Sequence, residues 1–166
     1  QIIISGHSCG GLLTLMLLAA HPEKVGGGIS YMQACFGKLS SYYKVKKVGP
    51  EAALAKFAKK KPGPAELRER QINNIKKSNN VSVLAFTHPK DKWEGLLSDW
   101  LEEVPGVKRI VISQDYKING KSCVVKGDNW QENISARKNP GHEMNQGLCF
   151  QYYNPEILNF IASRLK

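Results

Sequence analysis

Apolar residues come in short uniform runs separated by longer, helix-patterned stretches. Gln1-Ile2-Ile3-Ile4, Val25 to Met32, Val81 to Phe86 and Val107 to Ile112 read as four strands buried on both faces. Between them lie segments of helical character. Leu12 to Ala20 is apolar all round, so it reads as a helix buried on every side. Pro50-Glu51 opens a helix through Ala58, and Lys61-Pro62-Gly63-Pro64 closes it. Pro64 to Ile75 places Leu67, Gln71, Ile72 and Ile75 on one face. Trp93 to Val104 is amphipathic and stops at Pro105-Gly106. Asn154 is the expected N-cap of a last helix with Pro155 at its first position. Strands alternating with helices predict an α/β fold, a parallel sheet covered by helices on both faces.

Two stretches break the rhythm. Gln33 to Pro50 is irregular and aromatic, and Gln114 to Pro140 is a long polar excursion. Inside the excursion, Tyr116-Lys117-Ile118 and Ser122-Cys123-Val124-Val125 flank Asn119-Gly120, a hairpin-turn pair.

The chemistry concentrates where the first strand meets the first helix. Gly6-His7-Ser8-Cys9-Gly10-Gly11 is G-x-S-x-G between a β-branched strand and an uncharged helix, the context of a nucleophile elbow. Such a turn strains the serine backbone and pushes its Oγ clear of the sheet. Gly6 and Gly10 are expected to be required because a Cβ at either would collide. Free N–H groups and the positive end of the helix dipole lie beneath Ser8.

A serine hydroxyl needs a base, and the base needs a carboxylate to fix its tautomer. His7 is expected to point away from Ser8, His21 ends a helix, and His88 precedes a proline. His142, in Asn139-Pro140-Gly141-His142, follows the last strand and suits the base. Asp91 leaves the C-terminal end of the third strand and is the favoured acid, with Asp115 as runner-up. Asp99 belongs to the amphipathic helix and Asp128 to the excursion. In parallel sheets such groups collect beyond the carboxyl ends of the strands.

These motifs resemble those of the α/β-hydrolase superfamily, from its nucleophile strand to its last helix. The elbow is similar to that of esterases, lipases and the dienelactone-hydrolase-like group, although in dienelactone hydrolases proper the nucleophile is a cysteine. The resemblance implies the C-terminal half of that fold, residues 1–166 forming a partial domain whose N-terminal half is missing. The opening of the chain mid-strand on Gln1 agrees with that expectation. It also implies a small cap-like insertion at about 37–63. The implied reaction is cleavage of a carboxylic ester or related acyl bond in a small-molecule substrate. Ser8 attacks, His142 carries the proton and Asp91 orients His142. The backbone N–H of Cys9 is one oxyanion donor, and the second comes from the missing half, so this piece alone is expected to turn over slowly. Trp93, Met144, Phe36 and Tyr42 are candidates to line the pocket.

Charge adds a competing reading. The chain carries a net +10, most of it between Lys38 and Lys77, where twelve basic residues face three acidic ones. A basic surface attracts nucleic acid, anionic lipid or acidic substrates, or it is a solvated face balanced elsewhere. No nucleic-acid motif accompanies it. The second reading is therefore a non-catalytic binding module of the same fold.

Cys9, Cys35, Cys123 and Cys149 are scattered without C-x-x-C spacing, so free thiols are expected, with no metal site and no cofactor. Asn80 and Asn133 open N-x-S sequons. No apolar run is long enough for a membrane span.

Overall fold

A computed structural model describes residues 2–79, 81–112, 117–118, 121–122, 139, 141–142, 151 and 153–165. The expectations for Asp115, Asp128, Met144, Cys123, Cys149, Asn80 and Asn133 lie outside the described residues.

Four strands, β1 (Ile2–His7), β2 (Val25–Tyr31), β3 (Val83–Thr87) and β4 (Val107–Val111), form a parallel sheet in the order β1-β2-β3-β4. The register pairs Gly6 with Ser30, Tyr31 with Phe86, and Thr87 with Val111. Because side chains alternate along a strand, β2 and β3 serve two cores, whereas β1 and β4 are not buried on both faces as expected: Ile2 and Val111 are more than half exposed. Ile29, Tyr31, Leu84 and Phe86 face the C-terminal helix α6 (Asn154–Arg164) and meet Ile157, Phe160 and Ile161. On the other face, Val83 and Ala85 pack with Leu12, Leu15 and Leu18 of α1 (Cys9–Ala20) and Ile75 of α5 (Pro62–Lys76). The chain thus has a general α/β architecture, a parallel sheet with helices on both faces.

Helices α2 (Leu39–Tyr42) and α3 (Val45–Val48) occupy the stretch expected to be irregular after β2, and α4 (Pro50–Lys60) is the helix expected from Pro50-Glu51. They enclose a separate cluster of Leu39, Tyr43, Val45, Ala53 and Phe57 with Leu97. The Ser40 and Ser41 amides donate to the carbonyls of Trp93 and Lys92, which seats α2 beside the turn carrying Asp91. The hairpin expected around Asn119-Gly120 is present as β5 (Lys117–Ile118) and β6 (Lys121–Ser122), antiparallel.

Three local expectations are corrected. Helix α1 is not buried on every side: Leu13 and Leu17, one turn apart, are about half exposed. The helix expected over 93–104 is two 3₁₀ segments, Gly95–Leu97 and Asp99–Glu103. There the amides of Leu97 and Leu101 bond three residues back, and the Ser98 hydroxyl takes the Glu94 carbonyl that a regular helix would use. Asn154 does not cap α6 from outside; it is the first helical residue, and the flanking Tyr153 makes no side-chain cap bond.

Candidate active site

The turn that carries Ser8 is built by backbone conflict. Ser8 sits at φ 60°, ψ −124°, a conformation L-residues avoid, where β1 turns into α1. Its N–H donates to Tyr31 O at 2.9 Å, and its carbonyl accepts from Ala34 N and Leu12 N, each at 3.2 Å. A Cβ on Gly6 would strike the Gly10 carbonyl, so that glycine is required as expected. The second obligatory glycine is Gly11 rather than Gly10. A Cβ on Gly10 meets nothing, whereas one on Gly11 would lie 2.9 Å from Tyr31 O. The close approach is made to the neighbouring strand β2, a partner that sequence spacing does not display.

Asp91, just past the end of β3, and His142, ahead of the last helix, come together beside Ser8. His142 Nε2 lies 2.9 Å from Ser8 Oγ, and His142 Nδ1 lies 2.9 Å from Asp91 Oδ2. The carboxylate can only accept, so Nδ1 carries the proton and Nε2 is free to receive one from Ser8. Asp91 and His142 are 2% and 3% exposed, while Ser8 is half-buried. The pair is screened from water and the Ser8 hydroxyl is not.

Asp91 has its orientation fixed on the opposite oxygen. Oδ1 accepts from Trp93 N–H at 2.9 Å and from Asn139 Nδ2 at 2.8 Å. Asn139 in turn accepts the Lys92 amide at 2.7 Å through Oδ1, and its carbonyl accepts the His142 amide at 2.9 Å. One side chain therefore braces acid and base together. Its sequence signal was only nearness to His142, which assigns no role. A Cβ on Gly141 would press on the Asp91 amide and on His88 Nδ1, so the histidine loop needs glycine to pass there.

His7, expected to point away from Ser8, meets His142 instead. Its Nε2 lies 2.6 Å from the His142 carbonyl, which only accepts, so His7 donates; the two rings are 4.7 Å apart. His142 thus meets His7 through its backbone carbonyl and Ser8 through its side chain. Trp93 lies flat on His142, ring centroids 4.6 Å apart and 17° from parallel.

No family model matches the sequence, and no curated protein matches it as a relative.

Of the other pocket candidates, Phe36 and Tyr42 lie among the described residues. Phe36 packs against the two clusters beneath α1 and α4. Tyr42 is exposed, with the Lys60 ammonium 5.6 Å over its ring. A cleft of about 510 Å³ between α4, α5 and the 3₁₀ segments is lined by Leu54, Phe57, Arg68, Ile72, Leu96 and Trp100. Its chemistry is separate from that of Ser8. At its floor Arg68 grips Glu94 through Nε and Nη2 at 2.7–3.1 Å, both side chains buried. Burial pushes the Glu94 carboxyl above its ordinary range, and the Arg68 guanidinium pulls it back down.

His88 lies under the Asp91 turn, fully buried. Its Nδ1 accepts the Lys90 amide at 2.9 Å, which leaves the proton on Nε2. Burial, with Lys90 beside it and Asp91 opposing, lowers its pKa to about 4.

Free thiols were expected, but Cys9 and Cys35 form a disulfide with their Cα atoms 4.6 Å apart. The loop after β2 lies alongside the elbow because β1 and β2 are sheet neighbours, and no spacing rule reveals that. Among the described residues no group of three or more His, Cys, Asp or Glu is placed to hold a metal ion. None of their helices is long and apolar enough to cross a membrane.

Proposed function

We propose that this protein is a serine hydrolase of α/β-hydrolase type that cleaves a carboxylic ester or related acyl bond in a small-molecule substrate. The observation that carries this reading is the unbroken chain Ser8 Oγ, His142 Nε2, His142 Nδ1, Asp91 Oδ2, with 2.9 Å at both hydrogen bonds. Ser8 Oγ attacks the acyl carbonyl as His142 Nε2 takes its proton. The imidazolium, held by Asp91, returns that proton to the leaving oxygen. Water then repeats the exchange and releases the acid from the acyl-enzyme. The first-turn amides of α1, beginning with Cys9, have no acceptor within the helix and face the developing oxyanion.

The test is covalent labelling with a fluorophosphonate together with hydrolysis of p-nitrophenyl acetate. Labelling confined to Ser8, and lost in Ser8→Ala, is the expected result. Absence of labelling in a folded protein refutes the assignment.

One observation favours the non-catalytic binding module. Lys38, Lys44, Lys46, Lys47, Lys56, Lys59, Lys60 and Lys61 form no ion pair among the described residues. Binding of an acidic partner that weakens steeply with salt, without Ser8 labelling, would establish that alternative.

A further inference from the structure

We propose that the Cys9–Cys35 disulfide is a positioning element of the Ser8 site, so that the site is competent only in the oxidised protein. The inference rests on the hydrolase reading and adds a condition to it.

The bond joins the elbow to the segment that follows β2. Cys9 follows the nucleophile directly and supplies the first oxyanion donor. Cys35 follows Ala34, whose N–H reaches Ser8 O at 3.2 Å and whose carbonyl lies 3.3 Å from Ser8 Oγ. Residues 8–9 are thus joined to residues 34–35 by one backbone hydrogen bond and one covalent bond, while the Ala34 carbonyl competes with His142 Nε2 for the single Ser8 hydroxyl proton. Among the described residues, the bond from Ala34 N–H to the Ser8 carbonyl is the only backbone–backbone hydrogen bond of the 33–36 segment. Met32, which leads into it, is held at φ 44°. Inside the segment the amide nitrogen of buried Gln33 has no hydrogen-bond partner, so side-chain anchoring is incomplete as well. Ser8 occupies a strained conformation, and strain persists only while its surroundings enforce it. With the disulfide open, what ties this segment to the elbow is the Ala34 N–H to Ser8 carbonyl bond, together with the packing of Ala34 and Phe36.

Access is one-sided. Cys35 is exposed and Cys9 is half-buried, so an incoming thiolate reaches the Cys35 sulfur first. A dithiol attacks there, forms a mixed disulfide with Cys35 and expels Cys9 as a thiolate. Its second thiol then attacks the mixed disulfide and releases Cys35. The dithiol is oxidised to its disulfide, and its two protons end on Cys9 and Cys35.

The experiment uses the full chain in oxidised, dithiothreitol-reduced and reoxidised forms. It measures fluorophosphonate labelling of Ser8 and the kcat and KM for p-nitrophenyl acetate. Differential alkylation locates the thiols on Cys9 and Cys35, and far-UV circular dichroism confirms that each form is folded. Reduction is expected to lower both kcat and the labelling rate at least tenfold at unchanged fold, and reoxidation to restore them. Cys35→Ser is expected to match the reduced form and to ignore dithiothreitol. A role in stability alone would lower the melting temperature while leaving kcat per folded molecule intact, and that result overturns the proposal. So does alkylation of Cys9 and Cys35 in untreated protein. Failure of the oxidised form to label at Ser8 sinks the hydrolase reading instead.

Discussion

Asp91→Asn tests the triad through a tautomer rather than through lost charge alone. The substituted amide must choose which end faces His142. On the far side two donors converge, Trp93 N–H at 2.9 Å and Asn139 Nδ2 at 2.8 Å, and only an oxygen can accept them. The amide NH₂ is therefore turned toward His142 Nδ1. That nitrogen must accept, so the imidazole proton moves to Nε2, where it points at Ser8 Oγ. The base can no longer take the serine proton, although no atom need move. A triad carboxylate replaced in this way elsewhere lowers kcat about 10⁴-fold, equivalent to about 5.5 kcal/mol of barrier. We expect a comparable fall here in kcat for p-nitrophenyl acetate and in the fluorophosphonate labelling rate, with little change in melting temperature. Asn139→Ala removes one donor but leaves the carboxylate and the tautomer, so its kcat should fall only about tenfold, a small loss of orientation. If Asp91→Asn kept activity within tenfold of the parent, the assignment of Asp91 as orienter of His142 would be wrong.

Other substitutions probe the surroundings. His7→Leu deletes the donor to the His142 carbonyl and should lower kcat by ~10–100-fold through misplacement of the base. His7→Gln, which can still donate, should recover most of that, and equal losses in both would show that the bond is idle. His88 has a folded pKa depressed from 6.5 to about 4, so its contribution to stability is full above pH 6.5 and is lost as pH falls through about 4. The loss amounts to about 3 kcal/mol. Urea titrations across that range should show His88→Asn, which retains an acceptor for the Lys90 amide, with a shallower decline. Arg68→Met strands the buried Glu94 carboxylate and should destabilise by about 3–5 kcal/mol, most of it recovered in Arg68→Met/Glu94→Leu. The raised Glu94 pKa means that its stabilising share is present below its ordinary 4.5 and lost as pH rises through the folded value. Without Arg68 that value climbs further, so the single variant should lose more at pH 8 than at pH 5 in thermal melts.

The sheet was legible because its strands are uniform and β-branched. Residues such as Ile29 and Leu84 carry the signal themselves, whatever surrounds them. The three residues of the hydrogen-bonded chain were legible for a related reason: each stands at the end of a strand or in the loop before the last helix, and chain order narrows the choice. What failed depends on neighbours in space. Cys9 meets Cys35 only because two strands lie side by side. Gly11, not Gly10, is obligatory because of Tyr31 on that same adjacent strand. The amphipathic pattern at 93–104 was real, but the buried Arg68–Glu94 pair and the Ser98 hydroxyl divert the backbone from regular helix. Asn139 carried no motif at all, and its bracing role exists only in the assembled rim.

Ser8 and His142 are 134 residues apart along the polymer yet meet within one hydrogen bond. Closing so long a loop is entropically slow, and local helices and adjacent strand pairs can form well before it. Refolding should therefore regain its circular dichroism before it regains reactivity toward a fluorophosphonate. For this chain, a chemical trap for the serine is also a clock for the moment when its two distant ends come together.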